Sequence, residues 1–275
     1  MAITTLDGLV NAMGNNSSRI VLDKASIASQ AAGTFVSLWR ATGQPGQGAI
    51  PAAAAVCNNS LAGAIGFAQQ TAPSTSYGAW LNAVCSNAAM TVELHDRLMH
   101  MGGLNGTLTT AQTVNLDINA NLATSNLSER KGDANFSNIQ WWLEWYTATG
   151  ATAVTATVGV TYHDGTTGTL SASLAATRPA SFMLPLNGLD PSTKFIRDVD
   201  TVTLSATTGT AGSFGVTATR PRMTLPLNVA NKMEVADWQL LGLPEIYNSS
   251  CLFPLVLTST TSSGTVRGGG KIAHG

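Results

Sequence analysis

The sequence predicts a mainly β protein. The expected form is a jelly-roll-like antiparallel β-sandwich over residues 136–275, preceded by an irregular, partly α-helical region over residues 1–135. Three observations predict it. Val154, Ala156, Val158 and Val160 alternate with Thr155, Thr157, Gly159 and Thr161, the period of a strand with one buried face. Asp164-Gly165 then gives a strong hairpin turn signal, and Leu170, Ala172 and Leu174 alternate on the return. Before residue 136, Ala, Gly, Asn and Ser dominate and no single period persists.

In chain order, Leu6, Leu9, Val10 and Met13 lie at helical spacing and predict a short amphipathic helix. SSRIVLDKASIASQAAGTFVSLWR mixes a possible strand with a second short helix or extended arm. Gly43, Pro45, Gly46, Gly48 and Pro51 make a loop that can be neither helix nor central strand. MTVELHDRLMHMGG is the best helix candidate: Leu94, Leu98 and Met101 recur at i, i+4 and i+7, and Gly102-Gly103 supplies a C-cap. Residues 104–135 are polar with scattered Leu, as in a loop or arm, and Glu129 to Asp133 read as an exposed turn.

IQWWLEWY places Ile139, Trp141, Leu143 and Trp145 on one face of a strand and Trp142, Glu144 and Tyr146 on the other. Aromatics on both faces imply a strand covered on both sides. ATRPASFMLPLN from Ala176 is echoed by ATRPRMTLPLN from Ala218, which suggests two related strand–corner–strand units with the prolines on sheet edges. Val199, Val202 and Leu204 lead into TGTAGS, with Phe214 and Val216 returning as a hairpin. ADWQLLGLPEIYNSS reads as a short helix or turn. LFPLVLTST and TVRGGGKIA read as a last pair of strands, Pro254 putting the first near an edge.

Charged residues make up only 11% of the 275, against roughly 25% in an average soluble domain. Thr, Ser, Ala, Asn and Gly take their place. Such a surface is cheap to desolvate, and interface cores are likewise poor in charge, so the composition suits a chain largely covered by neighbours. The formal net charge is −1 with no basic stripe, which argues against nucleic acid as a partner. The N-terminus lacks a signal-peptide pattern and no apolar run reaches membrane-spanning length. A soluble chain made in a cytoplasm, with no membrane partner, is therefore expected.

The sequence offers no catalytic, cofactor-binding or metal-binding residue. His95 and His100 are five apart, which misses the zinc spacing of four; they read as helix-surface or interface residues. His163 sits beside a turn and His274 beside the end of the chain. Asp198 and Asp200 flank Val199 and could face one side, as a cation pair or, more simply, a solvated edge; Asp164 and Asp190 suit turns. GQPGQG lacks the spacing of a phosphate loop. Cys57, Cys85 and Cys251 have long spacings and apolar company, as buried free thiols do. Trp39, Trp141, Trp142, Trp145 and Tyr146 form the one cluster to single out, as core and interface or as a sugar-stacking platform.

FVSLWRATGQPGQGAIP, WWLEWYTATGATAVTATVGVTYHDG and TVTLSATTGTAGSFGVTATRP, with the Ser/Thr/Gly-rich C-terminus, resemble structural proteins of tailed-bacteriophage virions over most of the chain. The resemblance implies a non-enzymatic capsid-decorating (cement) protein, or a tail, collar or fibre component with a carbohydrate- or receptor-binding sandwich. It also implies a virion location, self-association with a trimer as the expected oligomer, and the major capsid protein as partner. It carries over no catalytic residue and no cofactor.

Overall fold

The computed structural model describes residues 3–87, 89–186 and 194–275. Its strands are β1 (Ser17–Lys24), β2 (Thr34–Ser37), β3 (Gly43–Gln44), β4 (Ala55–Val56), β5 (Ser76–Cys85), β6 (Met90–Asn105), β7 (Gln112–Asp117) and β8 (Gln140–Trp145). They continue with β9 (Val154–Tyr162), β10 (Thr167–Leu174), β11 (Phe182–Pro185), β12 (Ile196–Leu204), β13 (Ser213–Leu227), β14 (Glu234–Asp237), β15 (Leu252–Thr258) and β16 (Val266–His274). The helices are α1 (Leu6–Asn15) and three single turns, α2 (Ile118–Asn121), α3 (Ser125–Ser128) and α4 (Trp238–Leu241). The expected mainly-β class holds, and these strands pair antiparallel.

The architecture has three layers. The middle one is a closed ring in the order β6-β13-β8-β11-β2-β15 and back to β6, with β4 on the far end of β6. The two longest strands close it. β6 and β13 pair from Met90↔Leu227 to Asn105↔Ser213, with register shifts near Val216, Thr219 and Met223. Bulges of this kind sharpen the local twist, which a small ring needs in order to close.

A four-stranded sheet, β10-β9-β12-β7, covers one side of the ring. Trp141, Leu143, Trp145, Phe214 and Val216 from the ring share a core with Val158, Val160, Leu170, Val199 and Val202. A five-stranded sheet, β14-β5-β16-β1-β3, covers another side, where Val92, Leu94, Leu225 and Val256 meet Ile20, Leu22, Leu81 and Ile272. Each fully buried aliphatic side chain in these layers contributes about 1.5–3 kcal/mol. Every layer draws strands from both sides of residue 135: β1, β3 and β5 join β14 and β16, β7 joins β12, and β2 and β6 join β13.

Several local expectations hold. α1 forms where the apolar spacing places it, capped by Thr5 Oγ1 accepting from Gly8 N at 3.0 Å. Asp164-Gly165 turns β9 into β10 in register. α4 follows its N-cap Asp237 and ends on Gly242 at φ +70.

Others are corrected. Residues 90–103 are not a helix but part of β6, the longest strand. Its central residues are buried on both faces, so its apolar residues do not alternate cleanly, and Leu94, Leu98 and Met101 match helical spacing only by coincidence. Gly102 and Gly103 are not a C-cap. A Cβ on Gly102 would meet the Pro51 carbonyl, and Gly103 takes φ +82 inside the strand.

Residues 104–135 are not a free arm: β7 edges the four-stranded sheet, and Leu116, Ile118 and Leu122 are buried in its core. β12 and β13 are not a hairpin, because TGTAGS carries the chain from one layer to another. β15 and β16 likewise belong to different layers. Pro254 lies between two ladders, opposite Leu94 and with its carbonyl accepting from Leu38 N at 3.1 Å. The two ATRP copies differ in form: the first is a turn before β11, the second runs unbroken through β13 with a register shift at Pro221. Their LPL ends do share a property. Pro185 pairs only with β8 and Pro226 only with β6, so each proline lies where its strand has one neighbour. Asp190 and the end of the first copy lie outside the described residues.

Candidate functional site

The unusual chemistry of this chain is inside the ring. β8 is the reason: alternate residues point to opposite faces, so Trp141, Leu143 and Trp145 face the four-stranded sheet while Trp142 and Glu144 point inward. Glu144 is completely buried. Its Oε2 accepts from Arg97 Nη2 at 2.6 Å and from Thr217 Oγ1 at 2.6 Å. Tyr146 Oη accepts from the same Nη2 at 3.0 Å and donates to Glu144 Oε2 at 3.3 Å. Arg97 also donates from Nε to His100 Nδ1 at 3.0 Å, and its guanidinium lies 4.7 Å from the Trp39 ring centroid and 5.3 Å from that of Phe253. Stacking on aromatic faces suits a weakly hydrated, planar cation.

The electrostatics follow from burial against pairing. Burial works to raise the Glu144 pKa, but the Arg97 charge and the hydrogen bonds from Arg97 and Thr217 outweigh it and hold the carboxyl below its ordinary range. Burial and the adjacent Glu144 push the Tyr146 phenol far above its ordinary value. The groups are thus fixed as carboxylate, guanidinium and neutral phenol. Such a set holds strands together; it has no proton to exchange near neutral pH.

A second buried pair lies just along β6. Arg130 reaches in from the turn after α3 and binds Asp96 bidentately, Nε to Oδ2 at 2.9 Å and Nη2 to Oδ1 at 2.7 Å. Ser250 Oγ and Cys251 N complete the carboxylate, at 2.9 and 2.8 Å. Burial opposes the Asp96 charge, and Arg130 outweighs it to leave the pKa lowered. Arg130 also donates to the carbonyls of Cys57 and Arg97. The expected exposed turn at Glu129 to Asp133 is therefore corrected at its second residue, which is a buried peg.

The cluster singled out from sequence is brought together, and it is interior. Trp39, Trp141, Trp142, Trp145 and Tyr146 are each at most 4% exposed. Trp142 and Tyr146 line the ring, Trp141 and Trp145 the neighbouring core, and Trp39 plugs one end with Cys57, Ala64, Cys251 and Phe253. No ring face is free for a sugar. One glycine of the Gly-rich loop has its explanation here: Gly48, and Gly63 beyond β4, lie against the Trp39 indole, where a Cβ on either would come within 3 Å of its ring atoms. Trp39 Nε1 donates to Ala49 O at 2.9 Å, and Lys24 Nζ donates to the carbonyls of Ala41 and Pro45 at 3.0 and 2.7 Å.

His95 and His100 are corrected from surface to interior. His95 Nδ1 bonds Thr219 Oγ1 at 3.0 Å and its Nε2 bonds Glu93 Oε2 at 2.7 Å. His274 is buried between Ser18 and Ser76, at 2.7 and 2.8 Å. Asp198 and Asp200 lie not on an edge but on β12, between β9 and β7. Burial, and then the carboxylates of Asp200 and Asp117, push the Asp198 pKa up to about 7. Among the described residues no group of three or more His, Cys, Asp or Glu could hold a metal ion. The three cysteines are free and buried, as expected. A surface depression of about 620 Å³ is lined by polar side chains including Gln69, Gln70, Glu129, Glu245 and Asn248 and does not reach the buried charges.

No family model matches the chain, and no curated protein matches it. Among solved structures, it is similar to a structure of infectious bursal disease virus, Gt strain, at 11% identity over 94% of this chain and 81% of that one, with a TM-score of 0.20. The VP2 subviral particle of the same virus gives 12% identity, 94% and 79% coverage and a TM-score of 0.19. The Gx strain gives 10%, 100%, 85% and 0.20. At such scores the backbones do not superpose as one fold, and the likeness carries no functional inference.

Proposed function

We propose that this chain is a non-catalytic structural component of a virion, one copy among many, held by subunit–subunit contacts. Following the sequence resemblance, the specific reading is a capsid-decorating (cement) protein of a tailed bacteriophage, with sister subunits and the major capsid protein as partners. One observation carries the reading: the surface is poorer in charge than the sequence already implies. Of 14 basic and 15 acidic side chains, Lys24, Arg97, Arg130, Asp96 and Glu144 are completely buried. What is left for water is mainly hydroxyl, amide and apolar. Leu240 is 77% exposed, Val10 60% and Leu6 56%, and Val229, Met233 and Val235 are about half exposed. A surface of this kind loses little on being covered.

The tail, collar or fibre reading with a sugar platform at Trp141 to Tyr146 needs exposed rings, and these rings are buried; no other observation favours it. The test is the state of the purified chain by light scattering and native mass spectrometry, together with its copy number in particles by cryo-electron microscopy. A defined oligomer, and stoichiometric copies on the shell, are expected. A chain that stays monomeric at high concentration and hydrolyses a glycan or cell-wall polymer through identified carboxylates would overturn the reading.

A further inference from the structure

We infer that Cys57 and Cys251 form a built dithiol that closes to a disulfide when a small-molecule disulfide is supplied. The two residues come from distant parts of the chain and meet against one stretch of β6. Cys57 N donates to Leu98 O at 2.9 Å, and Arg97 N donates to Cys251 O at 2.9 Å, so they are anchored to consecutive residues of one strand. The other backbone groups are held too: Cys57 O accepts from Arg130 Nη1 at 2.8 Å, and Cys251 N donates to Asp96 Oδ1 at 2.8 Å. Both side chains enter the pocket of Trp39, Ala64 and Phe253 and are fully buried. There the two thiols lie against each other. A disulfide forms without strain only where the Cβ atoms converge without backbone movement; the shared pocket brings the two side chains together, and the anchors hold their backbones in place.

The surroundings also divide the roles. Burial works against a thiolate at Cys57, but the contacts with the Cys251 thiol and His100 and the nearby Arg97 charge outweigh it, leaving this thiol well below its ordinary pKa. Burial and the Cys57 sulfur push Cys251 well above. The Cys57 sulfur therefore carries the thiolate character of the pair, and because both sulfurs are fully buried it meets the small disulfide only when the chain opens or refolds. It displaces one thiolate from the small disulfide and forms a mixed disulfide, its own proton leaving on the displaced thiol. Cys251 then attacks the Cys57 sulfur, and its proton goes to the second displaced thiol. One small disulfide is reduced to two thiols and one protein disulfide is formed. Cys85 has no such partner among the described residues: it donates to Ser263 O at 3.2 Å, accepts from Asn87 N at 3.2 Å, and burial raises its pKa.

The full chain is brought to equilibrium with oxidised and reduced glutathione, both from the folded state and by refolding from urea. Thiols are then trapped by alkylation under denaturing conditions and mapped by mass spectrometry. The expected product is about 2 Da lighter, for two lost hydrogens, with Cys57 linked to Cys251 and only Cys85 alkylated. Closing so long a loop should raise Tm by on the order of 10 °C, reversed by dithiothreitol. Cys85→Ser should keep this reductant-sensitive shift, whereas Cys57→Ser and Cys251→Ser should lose it. Three alkylated thiols from both directions, or a link that involves Cys85, would overturn the inference. The mapping uses the unmutated chain, so it decides even if a serine variant does not fold.

Discussion

At the scale of single residues, the buried charges set the clearest expectations. Removing one partner of a buried ion pair leaves the other uncompensated, which costs about 3–5 kcal/mol. Arg130→Ala strands Asp96 with only Ser250 Oγ and Cys251 N as donors, and Glu144→Gln strands Arg97 in the ring; urea unfolding should show losses of that size. The pair Arg97→Met with Glu144→Leu should recover much of the loss, because an apolar pair needs no compensation. Asp198 sets a pH dependence. Its folded pKa of about 7 lies above the ordinary value of 3.8, so the folded state holds a proton that the unfolded state has released. This contribution is fully present below about pH 4 and is lost as pH rises through 7. Because the group is only half buried, solvent screening reduces the effect to roughly 1–2 kcal/mol. Asp198→Asn should remove that fall between pH 4 and 8, as measured by the urea midpoint; a variant with the same pH profile as the parent would contradict it.

At the scale of elements, β6 organises the molecule. It pairs with β13 along its length on one side and with β15 and then β4 on the other. It carries His95, Asp96, Arg97 and His100 into the interior and anchors both cysteines of the proposed pair. The Trp39 indole that plugs its ring depends on two glycines, Gly48 and Gly63, for clearance. Gly48→Ala should force the Trp39 indole aside and cost about 2–3 kcal/mol by overpacking, read as a drop in Tm and a change in tryptophan fluorescence. Gly66→Ala, where an added Cβ meets nothing within 4 Å, should change stability by less than about 0.5 kcal/mol. The strand nature of β8 was legible in IQWWLEWY because aromatics on both faces fit only a doubly covered strand. That of β6 was not: in a strand covered on both sides the period-two signal vanishes, and the remaining Leu and Met positions matched a helix.

At the scale of the whole molecule, three β layers hide five of the charged side chains completely and leave a charge-poor, hydroxyl-rich, partly apolar exterior. Association through such a surface should depend little on salt. Between about 50 and 500 mM NaCl, sedimentation should show the dissociation constant changing by less than about threefold, whereas an interface built on exposed ion pairs would weaken steeply as screening grows. Replacing exposed apolar residues of the β14–α4 corner, as in Val235→Lys with Leu240→Glu, should shift the population towards monomer without lowering Tm by more than a few degrees. Unchanged assembly would move the interface away from that corner.

The sequence by itself determined the β class, α1, the β9–β10 hairpin, the covered aromatic strand, the buried thiols and the shortage of charge. Each of these is written in local periodicity, turn chemistry or composition. Only the tertiary structure decided that β6 is a strand, that Arg130 faces inward, that the ring closes, and that Cys57 meets Cys251. Those outcomes rest on pairings between residues far apart in the chain. A buried salt bridge or a shared strand edge leaves no periodic mark on either partner, because the compensation that makes it stable is supplied from elsewhere in the fold.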